Sequence, residues 1–299
     1  MSKVESMLMT VLTRNPHVHL AYLTHEGNNT RLHLHAETAI RATALILPAG
    51  LTNCTHVYHT DTPPAILRCP ATTAKAANQN QACQNEPIKL GTQIQPGGKD
   101  WLGTAGAPVR WDDENNNPRI GILSNWHVMA DGSVGVGHNQ HQPDISGPRM
   151  ASLSAWSEVK CCATMYIDAA IADAKIDGLH TISDEIIDIG KLNPAPLSPS
   201  VDLDVKKAGR TTGLTHGRIT ALEAAVKVSY GDFTATFADQ IVITGQGGDF
   251  SAAGDSGSLI VSEDTNRPVG LLFAGGDGTT IANPIRRIAE FFNLTFDLE

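Results

Sequence analysis

A serine between two glycines is the strongest chemical signal in the sequence. Ser256 lies in the pentapeptide 254–258 (Gly-Asp-Ser-Gly-Ser), and the apolar run 259–261 follows it directly. Glycines allow a tight turn and let a substrate approach the backbone closely. Backbone N–H groups on such a turn can stabilise an oxyanion beside a nucleophile. The pattern therefore predicts Ser256 as a nucleophile, with an ordinary glycine-rich hairpin as the alternative.

A histidine and an aspartate, each beside apolar residues, could complete this chemistry. His127 follows the run 123–126 (Leu-Ser-Asn-Trp), and Asp168 lies inside the run 166–172. A general base must be held within hydrogen-bond reach of its nucleophile. An unpaired carboxylate is costly to bury, unless it accepts a hydrogen bond from the far nitrogen of that histidine. We predict His127 as the base and Asp168 as the orienting acid on a strand. A structural histidine and a solvated carboxylate, which we expect for Asp173, are the alternatives.

The order His127, Asp168, Ser256 resembles that of the trypsin-like serine proteases. The sequence is similar in particular to the intracellular bacterial and plant group that includes the rice narrow-leaf protease, over about residues 87 to 293. The strand-like run 269–276 and the hairpin 207–217 agree with this resemblance. The resemblance implies hydrolysis of peptide bonds through an acyl-enzyme on Ser256. It also implies an oxyanion hole made of the N–H groups of Gly254 and Ser256, and it requires no cofactor or metal.

The same resemblance indicates the primary substrate pocket. Its base is formed by the residue six positions before the serine, which is Phe250, and its walls by Phe273, Gly275 and Asp277. An aromatic base favours a small or medium apolar residue before the cut bond. A carboxylate from Asp249 or Asp277 would instead favour Arg or Lys, because it would need a partner once buried. The apolar preference is our prediction.

One feature of the secreted digestive members has no counterpart in this sequence. Those enzymes are activated by a cleavage that frees an Ile-Val-Gly-Gly-like N-terminus, which pairs with the aspartate before the serine. Asp255 is present here, but no such activation sequence occurs. The sequence alone leaves open how the loop around Ser256 is held in shape.

Short apolar runs separated by Gly, Pro and Asn predict a mostly β protein. With the resemblance, they predict two six-stranded antiparallel β-barrels of chymotrypsin type and a C-terminal helix, preceded by a small N-terminal domain. The predicted units are an N-terminal accessory segment and linker (1–86), the first barrel (87–190), a Pro-rich connection (191–200), and the second barrel with the helix (201–299).

Local patterns locate two of the elements. The runs 17–23 and 30–35 alternate around a turn-rich stretch and predict a hairpin. Apolar residues recur at helical spacing between 285 and 292. Asn283 is predicted as the N-cap of that helix and Pro284 as its first residue. The N-terminal segment is expected to carry none of the three catalytic residues.

Composition and charge limit the partners and the location. The chain of 299 residues has a net charge of −9, which argues against nucleic acid and against a basic membrane-surface protein. It has no secretory signal at 1–20, no long apolar run, and five cysteines without a CxxC pair. We therefore predict a cytoplasmic protein that acts on proteins or peptides, with no nucleic-acid or membrane partner. A homo-oligomer or an activating partner is left open.

Two other functions compete with the active protease. A binding or scaffold protein could have the same fold, since a fold does not fix a function. The N-terminal segment could hold a metal ion, because histidines at i and i+2 share one face of a strand. A polar strand face is the preferred interpretation, since no carboxylate or CxxC completes the set. These histidine pairs are His17 and His19, His33 and His35, and His56 and His59.

Overall fold

The computed structural model describes residues 1–26, 29–37, 45–48, 55–60, 63–67, 69–71, 78–84, 87–174 and 182–298. Strands dominate these ranges, and the last regular element is a helix, as the sequence predicts. None of the helices in these ranges is long and apolar enough to cross a membrane.

The N-terminal segment begins with a capped helix. Helix α1 (Lys3–Arg14) has a capping box, in which the Ser2 hydroxyl accepts from the Glu5 N–H and the Glu5 carboxylate accepts from the Ser2 N–H. The first two of the strands that follow pair antiparallel and form the predicted hairpin. The strands are β1 (Val18–Glu26), β2 (Asn29–Glu37), β3 (Thr55–Thr60), β4 (Ala65–Ile66) and β5 (Cys69–Pro70).

The described residues between 87 and 191 form the first half of the region for which the sequence predicts two barrels. An eight-stranded sheet has the order β5-β8-β7-β11-β12-β14-β10-β9, and β16-β15-β6 form a small separate sheet. Strand β5 joins this larger sheet from the N-terminal segment. The elements are β6 (Ile88–Leu90), β7 (Thr92–Pro96), β8 (Trp101–Ala105), β9 (Ala107–Asp112), β10 (Pro118–Ser124), α2 (Trp126–Met129), β11 (Asn139–His141), β12 (Arg149–Trp156), β13 (Thr164–Met165), β14 (Ala170–Asp173), β15 (Ile182–Ile186) and β16 (Gly190–Lys191).

The second half contains a closed barrel of six antiparallel strands. Its order is β19-β22-β21-β20-β17-β18, and β18 pairs back to β19, so that the ring closes. The interior is apolar, with side chains such as Phe237 and Phe273 fully buried. The elements are β17 (Asp204–Gly209), β18 (Gly213–Ser229), β19 (Thr234–Gly245), β20 (Leu259–Ser262), β21 (Pro268–Gly276), β22 (Thr279–Pro284) and α3 (Ile285–Phe292).

The N-terminal strands extend the sheet of this second barrel. Strand β1 pairs with β18, with Leu20 opposite Val226 and Ala21 opposite Ala225. Leu8, Val11 and Leu12 of α1 share an apolar cluster with Ala225, so the helix covers this extension. Long β18 offers an edge that would otherwise expose unpaired backbone groups. The segment predicted as a small preceding domain is therefore hydrogen-bonded to the barrel. The predicted domain boundaries remain predictions.

The C-terminal helix begins where the periodicity indicates, but the predicted cap is wrong. Pro284 takes the N-cap position of α3, and no side chain caps the helix. The Asn283 side chain is buried and makes other hydrogen bonds, to the Asp168 N–H and to the Gln240 side chain. It is unavailable for capping because it helps to position Asp168.

Candidate active site

His127 lies in the short helix α2, one turn after strand β10, and is fully buried. Its Nδ1 lies 2.6 Å from Oδ2 of Asp168, and its backbone N–H donates to Oδ1 of the same carboxylate at 3.2 Å. Both oxygens of Asp168 therefore fix His127, one through the ring and one through the main chain. This arrangement holds the imidazole in one orientation, as a general base requires.

Asp168 lies in the connection between β13 and β14, and the prediction that it lies on a strand is wrong. Two asparagine side chains take the backbone bonds that a neighbouring strand would otherwise make. Asn125 Nδ2 donates to the Asp168 carbonyl at 2.7 Å, and the Asp168 N–H donates to Asn283 Oδ1 at 2.9 Å. Asp173 instead pairs with Arg119 at 3.2 Å, away from the histidine. Neither asparagine was assigned this role from the sequence.

Tyr230 completes the surroundings of the aspartate. Its hydroxyl donates to Asp168 Oδ2 at 2.6 Å, and its ring lies edge-on to the His127 ring with centroids 6.0 Å apart. Burial and the nearby Asp168 charge raise the pKa of Tyr230 well above its usual value, so the hydroxyl keeps its proton and donates. This role of Tyr230 was not predicted from the sequence. The signal was a tyrosine on the buried face of a strand, whose hydroxyl needs a partner.

Ser256 lies on a tight turn that only glycines can make. Gly254 and Gly257 have φ values of 103° and 95°, where side chains are strongly disfavoured. A Cβ on Gly257 would lie 2.2 Å from Ser124 Oγ, so the serine turn packs directly on the end of β10. Strand β10 leads into the helix that carries His127. The Ser256 turn therefore packs on the same strand that leads into the helix of His127.

A buried ion pair holds the same turn from the other side. Lys207 Nζ lies 3.5 Å from Asp255 Oδ2, and both side chains are fully buried. Asp255 also accepts from the N–H groups of Thr211 and Ala252, and Lys207 donates to Thr212 and to the Gly213 carbonyl. Burial lowers the pKa of Lys207. Lys207 therefore supplies a positive charge beside Asp255, where the secreted digestive members have a freed N-terminus.

The backbone N–H and carbonyl groups of Leu67 both lie against the Ser256 turn. Its carbonyl oxygen accepts from the N–H of Gly254 and, at 3.4 Å, from the N–H of Ser256. Its own N–H lies 3.1 Å from Ser256 Oγ and donates to the Phe273 carbonyl at 3.3 Å. The Ser256 hydroxyl also lies 3.1 Å from that carbonyl. The two N–H groups predicted as an oxyanion hole thus converge on one carbonyl oxygen, which the chain itself supplies.

The Leu67 side chain locates the predicted pocket. It packs on an apolar cluster that includes the buried Phe250, and a Cβ on Gly275 would lie 3.1 Å from Leu67 Cδ1. Gly275 therefore leaves the room that the leucine fills. Asp249 and Asp277 are both exposed, so neither carboxylate is buried at the base of this pocket.

The paired N-terminal histidines lie on strands β1 to β3, except His17, which directly precedes β1. His17 contacts Glu37 at 2.9 Å, and His33 stacks on Tyr22 with centroids 4.9 Å apart. Burial lowers the pKa of His35 to about 4, so that ring is neutral near pH 7. Among the residues that the structure describes, no group of three or more His, Cys, Asp or Glu side chains is suited to a metal ion.

Comparison with known proteins agrees with the fold described above. Residues 164–286 match a family model described as the Nal1 C-terminal domain, and no curated protein sequence matches the chain. The fold is similar to the chymotrypsin of Cellulomonas bogoriensis, which is 20% identical, with a TM-score of 0.51 over 71% of this chain and 99% of that one. Protease A of Thermobifida fusca is 17% identical, with a TM-score of 0.50 over 70% of this chain and 97% of that one.

An alpha-lytic protease homolog, N4, is 18% identical, with a TM-score of 0.52 over 70% of this chain and 99% of that one. At such identities the similarity shows the fold. The family match supports, over its own residues, the resemblance to the narrow-leaf group that the sequence indicated. The chain therefore has the chymotrypsin fold of these serine proteases, and its residues 164–286 match the Nal1 C-terminal domain.

Proposed function

We propose that the protein is a serine endopeptidase. Ser256 is the nucleophile, His127 the general base, and Asp168 the acid that orients His127 and stabilises its charged form. Gly254 and Ser256 donate their N–H groups to the oxyanion. Asn125, Asn283 and Tyr230 are positioning residues that act through Asp168.

The position of the Leu67 carbonyl oxygen, which accepts from the N–H groups of Gly254 and Ser256, is the observation that carries this proposal. A carbonyl group that accepts from two converging N–H donors, beside a buried serine on a tight glycine turn, has the surroundings that acyl transfer requires. When the Ser256 hydroxyl turns from the Phe273 carbonyl towards His127, it attacks such a carbonyl carbon and gives its proton to the ring. The His127–Asp168 hydrogen bond of 2.6 Å supports the same assignment.

The pocket favours an apolar residue before the cut bond. Leu67 fills it from within the chain, Phe250 belongs to its apolar base, and the two candidate carboxylates are exposed. A substrate Arg or Lys would enter this space without an ionic partner, which is costly. We therefore propose proteins or peptides as substrates, with cleavage after leucine or a residue of similar size.

A reducing compartment, such as the cytoplasm, remains part of the proposal. Cys83, Cys161 and Cys162 are free and exposed. Exposed free thiols are typical of proteins in reducing compartments, since disulfides form mainly in oxidising ones.

A serine-directed fluorophosphonate probe tests the proposal. The probe is offered to the natural chain and to Leu67→Asp. We call Leu67→Asp the open-groove variant, because an ionised carboxylate is disfavoured in the apolar pocket and should leave it empty. We expect the probe to attach to Ser256, and to attach faster in the open-groove variant. Fluorogenic peptides with Leu, Val, Ala, Arg or Lys before the cleaved bond then test specificity. A preference for Arg or Lys by more than about tenfold would refute the apolar pocket, and an unlabelled Ser256 in both proteins would refute the protease.

A further inference from the structure

A strand of the N-terminal segment lies beside the part of β21 that β20 leaves unpaired, next to Ser256. Strand β4 pairs antiparallel with β21, with Ile66 opposite Ala274 and Ala65 opposite Gly275. Adding an extended peptide to an exposed sheet edge is a general way of binding peptides, because the main chain supplies the hydrogen bonds. Residues 65 to 67 therefore lie in an extended conformation that leads the Leu67 carbonyl to the nucleophile.

The chain is also held on the far side of Leu67. Strand β5 pairs antiparallel with β8 of the other half, with Cys69 opposite Leu102 and Pro70 opposite Trp101. The N–H of Ala71 then donates to the Asp100 carbonyl at 2.5 Å. The backbone is thus hydrogen-bonded before and after the Leu67–Arg68 bond, to β21 of the second half and to β8 of the first half.

From this geometry we infer that the protein cuts its own chain between Leu67 and Arg68. The inference rests on the proposed function and names its first substrate, an internal strand with leucine before the cut bond. The pocket, the paired strand and the two N–H donors all act on residues 65 to 67, as they would on any substrate. Because the bond belongs to the same molecule, the reaction is intramolecular, and orientation alone accelerates it strongly.

The reaction balances with the residues present and water. The Ser256 hydroxyl adds to the Leu67 carbonyl carbon while His127 takes its proton. The tetrahedral adduct collapses, the Leu67–Arg68 C–N bond breaks, and His127 gives the proton to the new amine of Arg68. Water then hydrolyses the Leu67 ester with His127 as base, which frees Ser256 and leaves Leu67 as a carboxylate.

Both pieces stay attached to the fold after the cut. Residues 1–67 keep the β1–β18 and β4–β21 pairings, and the new end at Arg68 is followed by strand β5 on β8. The cut chain is therefore expected to run as one particle under native conditions and to separate only when denatured. Until Leu67 leaves the pocket, it also excludes other substrates.

Intact-protein mass spectrometry under denaturing conditions tests the inference. The natural chain is followed over time beside Ser256→Ala, Leu67→Met and the open-groove variant. We expect fragments 1–67 and 68–299 from the natural chain and from Leu67→Met, whose side chain fits the same pocket. Ser256→Ala should lose the cut by about 10⁴-fold or more, and the open-groove variant should lack it. The rate should not change on dilution, because the cut is intramolecular.

Three results would overturn self-cleavage. The first is an uncut natural chain while the probe labels Ser256 of the open-groove variant, which leaves the proposed function standing. The second is a cut at another bond, such as the one after Arg68. The third is an unlabelled, inactive open-groove variant, which removes the proposed function as well. A synthetic peptide of residues 63–71, offered to the open-groove variant, checks the same bond in a separate molecule, and we expect it to be cut only after leucine.

Discussion

The ammonium group of Lys207 lies 3.5 Å from the carboxylate of Asp255, and no part of either side chain reaches solvent. Asp255 precedes Ser256, and its carboxylate also accepts hydrogen bonds from the N–H groups of Thr211 and Ala252. The shape of the Ser256 turn therefore depends on the Lys207 ammonium group, which is part of the uncleaved chain. No free N-terminus needs to be generated to supply this charge.

Replacing Lys207 should damage both stability and activity. Lys207→Met leaves Asp255 buried without its cation, and breaking a buried pair in this way costs about 3–5 kcal/mol. We expect the free energy of unfolding, measured with urea, to fall by that amount and the labelling of Ser256 to slow. The neighbouring Lys206 pairs near the surface with Glu263, so Lys206→Met is the control and should lose about 1 kcal/mol or less. Equal losses in the two variants would show that the buried pair has no special role.

The same lysine should set an alkaline limit on activity. Burial lowers the pKa of Lys207 below the 10.5 of a free lysine, so the folded protein loses this proton first and labelling of Ser256 should decline as the pH rises. The unfolded chain binds the proton more tightly, so linkage makes the Lys207 contribution to the free energy of unfolding rise with pH between the two pKa values. Lys207→Arg stays charged and should lack both effects. If Lys207→Arg shows the same fall in Ser256 labelling at high pH, another group is responsible for it.

Removing the Tyr230 hydroxyl should slow catalysis without unfolding the protein. Tyr230→Phe takes one of the hydrogen bonds from the buried Asp168, and a bond to a charged group contributes about 1.5–3 kcal/mol. We expect kcat for peptide hydrolysis to fall about 10- to 100-fold, with KM unchanged because Tyr230 contacts no substrate. Tyr166→Phe is the matched control, since that ring is contacted by Arg287 and not by Asp168. A change in KM alone would contradict a positioning role.

Replacing Asp168 should slow turnover far more than replacing Asp173. Asp168→Asn leaves His127 with an amide partner and the wrong tautomer. The same change at the orienting aspartate of a serine protease lowers kcat by about 10⁴-fold. Asp173→Asn should have little effect on turnover, because Asp173 pairs with Arg119 away from the histidine. Steady-state hydrolysis of a leucine peptide by the two variants makes the comparison. Comparable losses would mean that Asp168 is not the orienting acid.

The fold class could be predicted from the sequence, and the sequence named His127, Asp168 and Ser256 as candidate catalytic residues. The structure pairs His127 with Asp168, and the catalytic roles remain predictions. Ser256 and His127 lie in short motifs whose order along the chain is itself informative. The partners Lys207 and Tyr230 act through tertiary contacts, with Asp255 and Asp168 respectively. No local pattern specifies such contacts, although a polar group on a buried strand face indicates that a partner is needed.

The N-terminal segment was the least predictable part. Its hairpin could be predicted from alternation, but its place in the second barrel depends on the free edge of β18. The contact between Leu67 and Ser256 joins residues far apart in the chain. The sequence around Leu67 shows no periodic pattern that would predict a strand. Its extended shape results from pairing with neighbouring strands.

The most direct test of the central claim compares two open-groove proteins that differ by one oxygen atom. Hydrolysis of a peptide with leucine before the cleaved bond is measured for the open-groove variant and for the same variant carrying Ser256→Ala. We predict turnover by the first and a loss of about 10⁴-fold or more in the second, with both proteins folded by circular dichroism. Equal turnover by the two proteins would contradict the account, because Ser256 would then not be the nucleophile.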